Sequence, residues 1–167
     1  YVTVLEDRPK FADNARRAGA DKVICEAFEA GLEQIPGDSD TFFVIVTRGH
    51  VYDRICLESI VRKPHAYIGM MGSRRRVAQV KHSVLENGAD PQVISQLHSP
   101  IGLDIKAETP EEIAISIMAE IIQVKNQDKR GAGYSNEIRD AIVKCEDQKK
   151  ILATIVERKG SAPRSIG

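Results

Sequence analysis

The 167-residue sequence has no tryptophan, and only four tyrosines, four phenylalanines and three cysteines. Cys25, Cys56 and Cys145 are odd in number, far apart and in no C-x-x-C pair. That pattern excludes a fully paired disulfide framework and argues against a zinc site, so reduced thiols in a cytoplasmic protein are expected. Net charge is missing too: 24 basic and 24 acidic residues cancel, leaving no overall field for nucleic acid or an anionic membrane surface. The apolar runs, Phe42 to Val46 and Ile113 to Ile122, are too short or too interrupted to span a bilayer. No charged-then-apolar leader opens the chain. The G-x-G-x-x-G fingerprint of a dinucleotide-binding turn is absent as well.

What remains is a strand–helix rhythm. Val2 to Leu5 reads as a short strand, Phe11 to Ala18 as a helix stopped by Gly19, and Lys22 to Cys25 as a second strand. Ala27 to Ile35 is helical up to Pro36-Gly37. Thr41 to Thr47 is the nearly continuous apolar strand that a parallel sheet buries on both faces. A helix from about Val51 and a strand ending near Met70 follow. This alternation predicts an α/β fold with a doubly wound, mostly parallel sheet. Because the chain opens inside a core strand, the first strand of such a sheet and its glycine-rich loop are expected to be missing.

Further on, Asp90-Pro91 starts a short helix to about Leu97, and the apolar segment His98 to Ile105 has no clear period. Thr109-Pro110-Glu111-Glu112 is a strong helix start. It opens a helix to about Lys125 with Ile113, Ile117, Ile121 and Val124 on one face, broadened by Ile115, Met118 and Ile122. That helix is expected to be a well-buried scaffold without chemistry. The domain reading is therefore 1–125 as one Rossmann-like domain, 126–134 as a polar, glycine-rich linker, and 135–167 as the incomplete start of another module: a helix from Ser135 to about Lys149, then a strand from Ile151 to Val156.

The candidate site lies where strands end, since ligands of open α/β sheets bind at the strand carboxyl ends. Tyr67 to Val77, Y-I-G-M-M-G-S-R-R-R-V, passes from strand to helix through a Gly-x-x-Gly turn. Gly69 and Gly72 allow positive φ and close backbone approach, and Ser73 is a good N-cap for the helix. Arg74 and Arg75 then flank a positive helix end, an anion site; a capped helix with a solvated basic face is the plainer alternative. Asp7, after the first strand, stands where dinucleotide folds hold a ribose hydroxyl, although a turn residue before Pro9 is the simpler reading. Thr47, Arg48, Gly49, His50 and Asp53 follow the apolar strand at the same sheet edge. His50 titrates near neutral pH in a functional reading and is a polar turn residue otherwise. Gly102 and Asp104 belong to a wall or lid of the pocket, or to a connection tucked against the sheet.

Four blocks in order, V-T-V-L-E-D-R-P-K-F-A at Val2 to Ala12, T-R-G-H-V-Y-D at Thr47 to Asp53, Y-I-G-M-M-G-S-R-R-R at Tyr67 to Arg76 and P-I-G-L-D-I-K-A-E-T-P-E-E-I-A at Pro100 to Ala114, resemble the Rossmann-like domain of the XdhC/CoxI family. The tail from Ile151 to Gly167 resembles the opening of that family's CoxI-type module, but stops before its cysteine-containing part. The resemblance implies an accessory protein of molybdenum hydroxylases such as xanthine dehydrogenase. It would bind the molybdenum cofactor (molybdopterin), shield it while a cysteine desulfurase adds the terminal sulfur, and assist its insertion. NAD(P) is a further ligand that the resemblance allows on the same domain, and a homodimer is compatible with it. On this view Arg74 and Arg75 hold phosphate, Gly69, Gly72 and Ser73 give backbone contacts, Thr47, Arg48, His50 and Asp53 line the pocket, and Asp7 meets a ribose or the pterin. No covalent catalyst is assigned. The rival readings are an NAD(P)-binding oxidoreductase, which lacks a phosphate loop here, and a nucleotide-sensing regulatory domain.

Overall fold

In the computed structural model, which describes residues 1–127, strands and helices alternate as the apolar pattern requires. The order is β1 (Thr3–Leu5), α1 (Pro9–Arg17), β2 (Lys22–Ile24), α2 (Phe28–Glu33), β3 (Phe42–Ile45), α3 (His50–Ile60), β4 (Tyr67–Met70), α4 (Arg74–Glu86), α5 (Pro91–Ser95) and α6 (Pro110–Gln127). Residues 1–121 form one unit. Asn126 and Gln127, expected to begin the linker, complete α6; the rest of the linker to 134 and the module at 135–167 lie outside the described residues.

The helix starts follow local chemistry. Pro9 and Pro91 occupy first-turn positions that have no amide bond to lose. Ser73 caps α4, its hydroxyl accepting from the Arg76 N–H at 3.3 Å. At α6 the Glu112 N–H donates to Thr109 Oγ1 at 3.3 Å, and the Thr109 N–H donates to Glu112 Oε2 at 3.1 Å. These two reciprocal bonds make a complete capping box.

The strands pair in parallel, but two by two. β1 pairs with β2 in the register Val4–Val23, and β3 with β4 in the register Val44–Gly69. The α/β architecture of parallel strands and intervening helices expected from the rhythm is present, its strands paired as two small sheets among the described residues. The outer edge of β4 is covered by one isolated parallel bridge, Gly69 to His98.

All four β4 positions are buried, as for a central parallel strand. β3 is not buried on both faces: Phe43 and Ile45 are inside, whereas Val44 is 43% exposed and Val46, just past its end, 55%. The core forms where α2, α3 and α4 meet the β3–β4 sheet, around Phe43, Leu57, Met70 and Val80. Leu57 and Met70 are fully buried, each contributing about 1.5–3 kcal/mol of hydrophobic stabilisation. No described helix is long and apolar enough to cross a membrane.

α6 departs most from expectation. Its buried residues are Ser116, Ile117 and Glu120, while Ile115, Met118 and Ile122 are 52–63% exposed. The face turned inward is the one carrying the two polar side chains, because both find buried partners there. Ser116 Oγ donates to the Leu103 carbonyl at 2.6 Å, and Glu120 holds a network described below.

Candidate functional site

The carboxyl ends of β1, β3 and β4 lead into the segments that carry the candidate residues. After β1, Glu6 binds Arg8, whose Nε donates to Oε1 at 2.7 Å. Asp7, whose Oδ1 is 3.8 Å from the Arg8 Nε, accepts a two-pronged contact from Arg48, NH1 to Oδ1 and NH2 to Oδ2, both at 2.7 Å. The Arg48 guanidinium lies 4.3 Å from the Tyr52 ring centre, in cation–π range. An acid after one sheet is thereby tied to a base after the other, across 41 residues of sequence.

The Arg48 bonds hold the Asp7 carboxyl at about 2, against a smaller opposing push from burial. A carboxyl depressed on folding adds stability that is complete above its unfolded value near 3.9 and disappears as pH falls toward 2. Arg48→Ala should return the Asp7 titration toward 3.8, followed by NMR of its side-chain carboxyl. A midpoint still near 2 would show that the fork is not what holds it.

The second cluster lies between β3 and α4. Thr47 Oγ1 donates to Asp53 Oδ1 at 2.5 Å and is also 3.0 Å from the Gly49 carbonyl. Gly49, in extended conformation, caps α3, its carbonyl accepting from the Tyr52 and Asp53 N–H groups. Asp53 has no solvent exposure. Its other oxygen is bound by the Arg76 Nε and NH2 groups, and Arg76 NH2 also donates to the Thr47 carbonyl at 3.2 Å. One buried carboxylate therefore joins the end of β3, the first turn of α3 and the first turn of α4. Next to it the Cys56 thiol is pushed up to about 12, by burial and then by the charges of Asp53 and Glu29, so it stays a protonated packing group.

The remaining expected site residues fall as follows. His50 is the first residue of α3, exposed, and its ring has no hydrogen-bond partner among the described residues. Arg74 and Arg75 are exposed, without hydrogen-bond or ion-pair partners among the described residues. Of the three arginines, the one turned inward is Arg76. Gly69 and Gly72 do not adopt positive φ. Gly69 is a strand residue where a Cβ would stand against Ile101 and the Tyr67 hydroxyl, so close approach is its reason. At Gly72 a Cβ would meet Arg76 only at 3.5 Å, an ordinary contact. Gly102 does have positive φ, +94°, and packs its backbone onto Ser116 of α6. Asp104 is exposed and bonds Lys106 at 2.7 Å, which holds its carboxyl below the usual range; Arg74 adds a smaller pull.

A third cluster has no counterpart among the sequence expectations. The buried Glu120 carboxylate accepts from the Tyr67 hydroxyl at 2.6 Å and the Gly102 N–H at 2.9 Å, both on Oε2, and its Oε1 lies 3.1 Å from His98 Nδ1. Burial alone would raise its pKa, but these donors together outweigh it and leave the carboxyl below its ordinary value. The Tyr67 hydroxyl is pushed well above its ordinary value, first by burial and then by its bond to Glu120. The His98 ring packs on Tyr67 with centres 4.5 Å apart. A charged residue inside an otherwise apolar helical run is the one sequence signal that marks Glu120.

Parallel strands, helices following them and polar side chains gathered at the strand carboxyl ends define a Rossmann-like domain. The family model for the XdhC Rossmann domain matches residues 1–121, and the chain belongs to that family. It is 42% identical over 101 residues to "Uncharacterized protein YqeB" of Escherichia coli, covering 60% of this chain and 18% of that protein. It is 32% identical over 126 residues to a probable xanthine dehydrogenase subunit of Bacillus subtilis, covering 75% of this chain and 36% of that protein. A crystal structure described as a xanthine dehydrogenase from Bacillus halodurans superposes with a TM-score of 0.68 at 32% identity, over 80% of this chain and 38% of the other. The chain thus spans between about a fifth and two-fifths of the length of these relatives.

Proposed function

We propose that this domain is the phosphate-holding part of an accessory protein for a xanthine dehydrogenase-type molybdenum hydroxylase, and that its ligand is the molybdenum cofactor. The names of the Bacillus relatives supply the link to xanthine dehydrogenase. The observation that carries the ligand reading is the start of α4. Ser73 takes up one first-turn N–H, the others have no partner within the helix, and Arg74 and Arg75 stand beside them without partners among the described residues. Arg48 and Arg76 are occupied by Asp7 and Asp53, so among the described residues Arg74 and Arg75 are the arginines left for a ligand at the start of α4. A phosphate or pyrophosphate, such as the one molybdopterin carries, fits a helix N-terminus flanked by arginines.

In this role the protein supplies binding and protection, and the bound cofactor supplies the redox centre to the hydroxylase that receives it. Sulfuration by a cysteine desulfurase and insertion into the hydroxylase are the steps served; no side chain of this domain is asked to form a bond. Asp7, within reach of the same edge but held by Arg48, is the group that an NAD(P) ligand would have to recruit for its ribose.

Thermal shift with molybdopterin, NAD and AMP tests the reading, since a ligand that binds only the folded state raises the melting temperature by mass action. Molybdopterin should stabilise the protein, and Arg74→Ala with Arg75→Ala should weaken its binding at least roughly tenfold by removing two charge-assisted contacts. Stabilisation by NAD with none by molybdopterin would overturn the cofactor assignment. Unchanged affinity in the double variant would make the arginines a solvated face.

A further inference from the structure

The outer face of α6 carries a stripe that the fold leaves uncovered among the described residues. Glu111, Ile115, Met118, Ile122 and Lys125 follow one another at steps of four, three, four and three residues. At about 100° per residue they fall within an arc of about 80°. The residues that α6 buries, Ser116, Ile117 and Glu120, lie on the opposite side of the helix. Ile115, Met118 and Ile122 are each more than half exposed. Their spacing is the a/d repeat with which one helix seats its side chains between those of another. The domain already holds α6 by the other face, through Glu120 on Tyr67 and Ser116 on Leu103. The stripe is therefore a second packing surface, and large apolar side chains gathered on one exposed line mark a place of interaction.

The charges at its two ends choose the partner. Glu111 stands in the first turn of α6 and Lys125 in the last, each seven residues from Met118, or about 10.5 Å along the axis. Neither side chain has a hydrogen-bond or ion-pair partner among the described residues; the carboxylate used by the helix cap is that of Glu112. A two-fold axis beside Met118 thus sets each methionine against its copy and each Ile115 toward the partner's Ile122. It also brings each Glu111 within reach of the partner's Lys125. The helix dipoles then run in opposite directions, which is favourable, whereas a parallel pair would set like charges side by side. Ala114 and Ala119 flank the stripe and let a second helix come close. Lys125 is the one basic residue of α6, so an anionic membrane surface finds no cationic flank to bind.

We propose that α6 is a self-association surface: two copies of this chain pair through antiparallel α6 helices, with Ile115, Met118 and Ile122 as the seam and a Glu111–Lys125 ion pair between chains at each end. A seam of about two heptads is smaller than the interface of a permanent dimer, so the pair is reversible, with a dissociation constant in roughly the micromolar range. None of the residues assigned to the phosphate-holding edge belongs to the stripe, and the proposal stands independently of which ligand binds there.

The test is sedimentation velocity of the full chain at concentrations from about 2 to about 200 µM, a span that brackets a weak interface. The sedimenting mass should rise from that of one chain toward that of two. Met118→Glu sets two carboxylates together on the axis and should abolish the rise; the position is exposed, so the far-UV circular dichroism should stay that of the parent. Glu111→Lys alone, and Lys125→Glu alone, should each weaken association at least roughly tenfold, because like charges then meet at both ends of the seam. An equimolar mixture of these two variants should recover it, since each chain meets its complement in the other. A parent that keeps the mass of one chain throughout, as it would if residues 128–167 covered the stripe, overturns the proposal. Association unaffected by Met118→Glu overturns it as well, and so does a mixture no stronger than its two components.

Discussion

Asp53→Ala should be among the most damaging single substitutions in the domain, lowering stability by about 3–5 kcal/mol, the cost of leaving one member of a buried ion pair behind. Asp53 is completely buried and both of its oxygens are bound, one by Thr47 and the other by Arg76. Removing it strands a guanidinium that is only about a quarter exposed and unties β3 from the starts of two helices. Thr47→Val removes a single neutral donor and should cost about 1 kcal/mol. Arg76→Ala in the Asp53→Ala background should cost much less than in the parent, because the charge that needed it has gone. Urea denaturation of the parent, the two single variants and the double variant reads the coupling directly. An Asp53→Ala loss below about 1 kcal/mol, or strict additivity with Arg76→Ala, would mean that the pair does not couple the strand to the helices.

The elements themselves were legible because their signals are local. Ser73, Asp90 and the Thr109–Glu112 box each mark a helix start by the chemistry of one turn, and all three stand at helix starts in the structure; Pro9, read as part of a turn, opens α1 two residues before the expected helix. Strand pairing is not local. Nothing in Thr41 to Thr47 tells a strand flanked on both sides from one flanked on a single side. An apolar run therefore suggested burial on both faces, while Val44 and Val46 are exposed. α6 failed for a related reason. Its isoleucines are regularly spaced on more than one face, and periodicity cannot choose between faces when the deciding contacts, Glu120 with Tyr67 and Ser116 with Leu103, come from 53 and 13 residues away.

The strand-end segments were placed together from sequence because the rule that strand carboxyl ends collect functional groups is topological. What each side chain does there was not readable. Three consecutive arginines are equivalent as letters, yet successive helix positions turn by about 100°. Arg76 consequently reaches back under the turn to Asp53, while Arg74 and Arg75 stay in solvent. Likewise Asp7 and Arg48 were both assigned to a ligand, and the structure joins them to each other. Opposite charges at one sheet edge bind one another unless a ligand competes, so a ligand that recruits Asp7 must offer Arg48 a replacement partner.

Glu120→Leu should be the second large loss, at about 3 kcal/mol, although leucine is the better residue for a buried helix face. The substitution leaves two donors, the Tyr67 hydroxyl and the Gly102 N–H, facing hydrocarbon, and each buried donor without a partner costs about 1–3 kcal/mol. Glu120→Gln keeps an acceptor of the same shape but lacks the charge, so it should lose about half as much. Tyr67→Phe made on top of Glu120→Leu should recover part of the deficit, since one stranded group is then removed. The pH dependence has a definite sign. The Glu120 carboxyl is held below its ordinary value in the folded protein, so its contribution is complete above the unfolded value near 4.3 and is lost as pH falls through the folded one. The parent should therefore lose its advantage over Glu120→Gln in acid. If Glu120→Leu were as stable as the parent at neutral pH, the network would add nothing to an apolar contact.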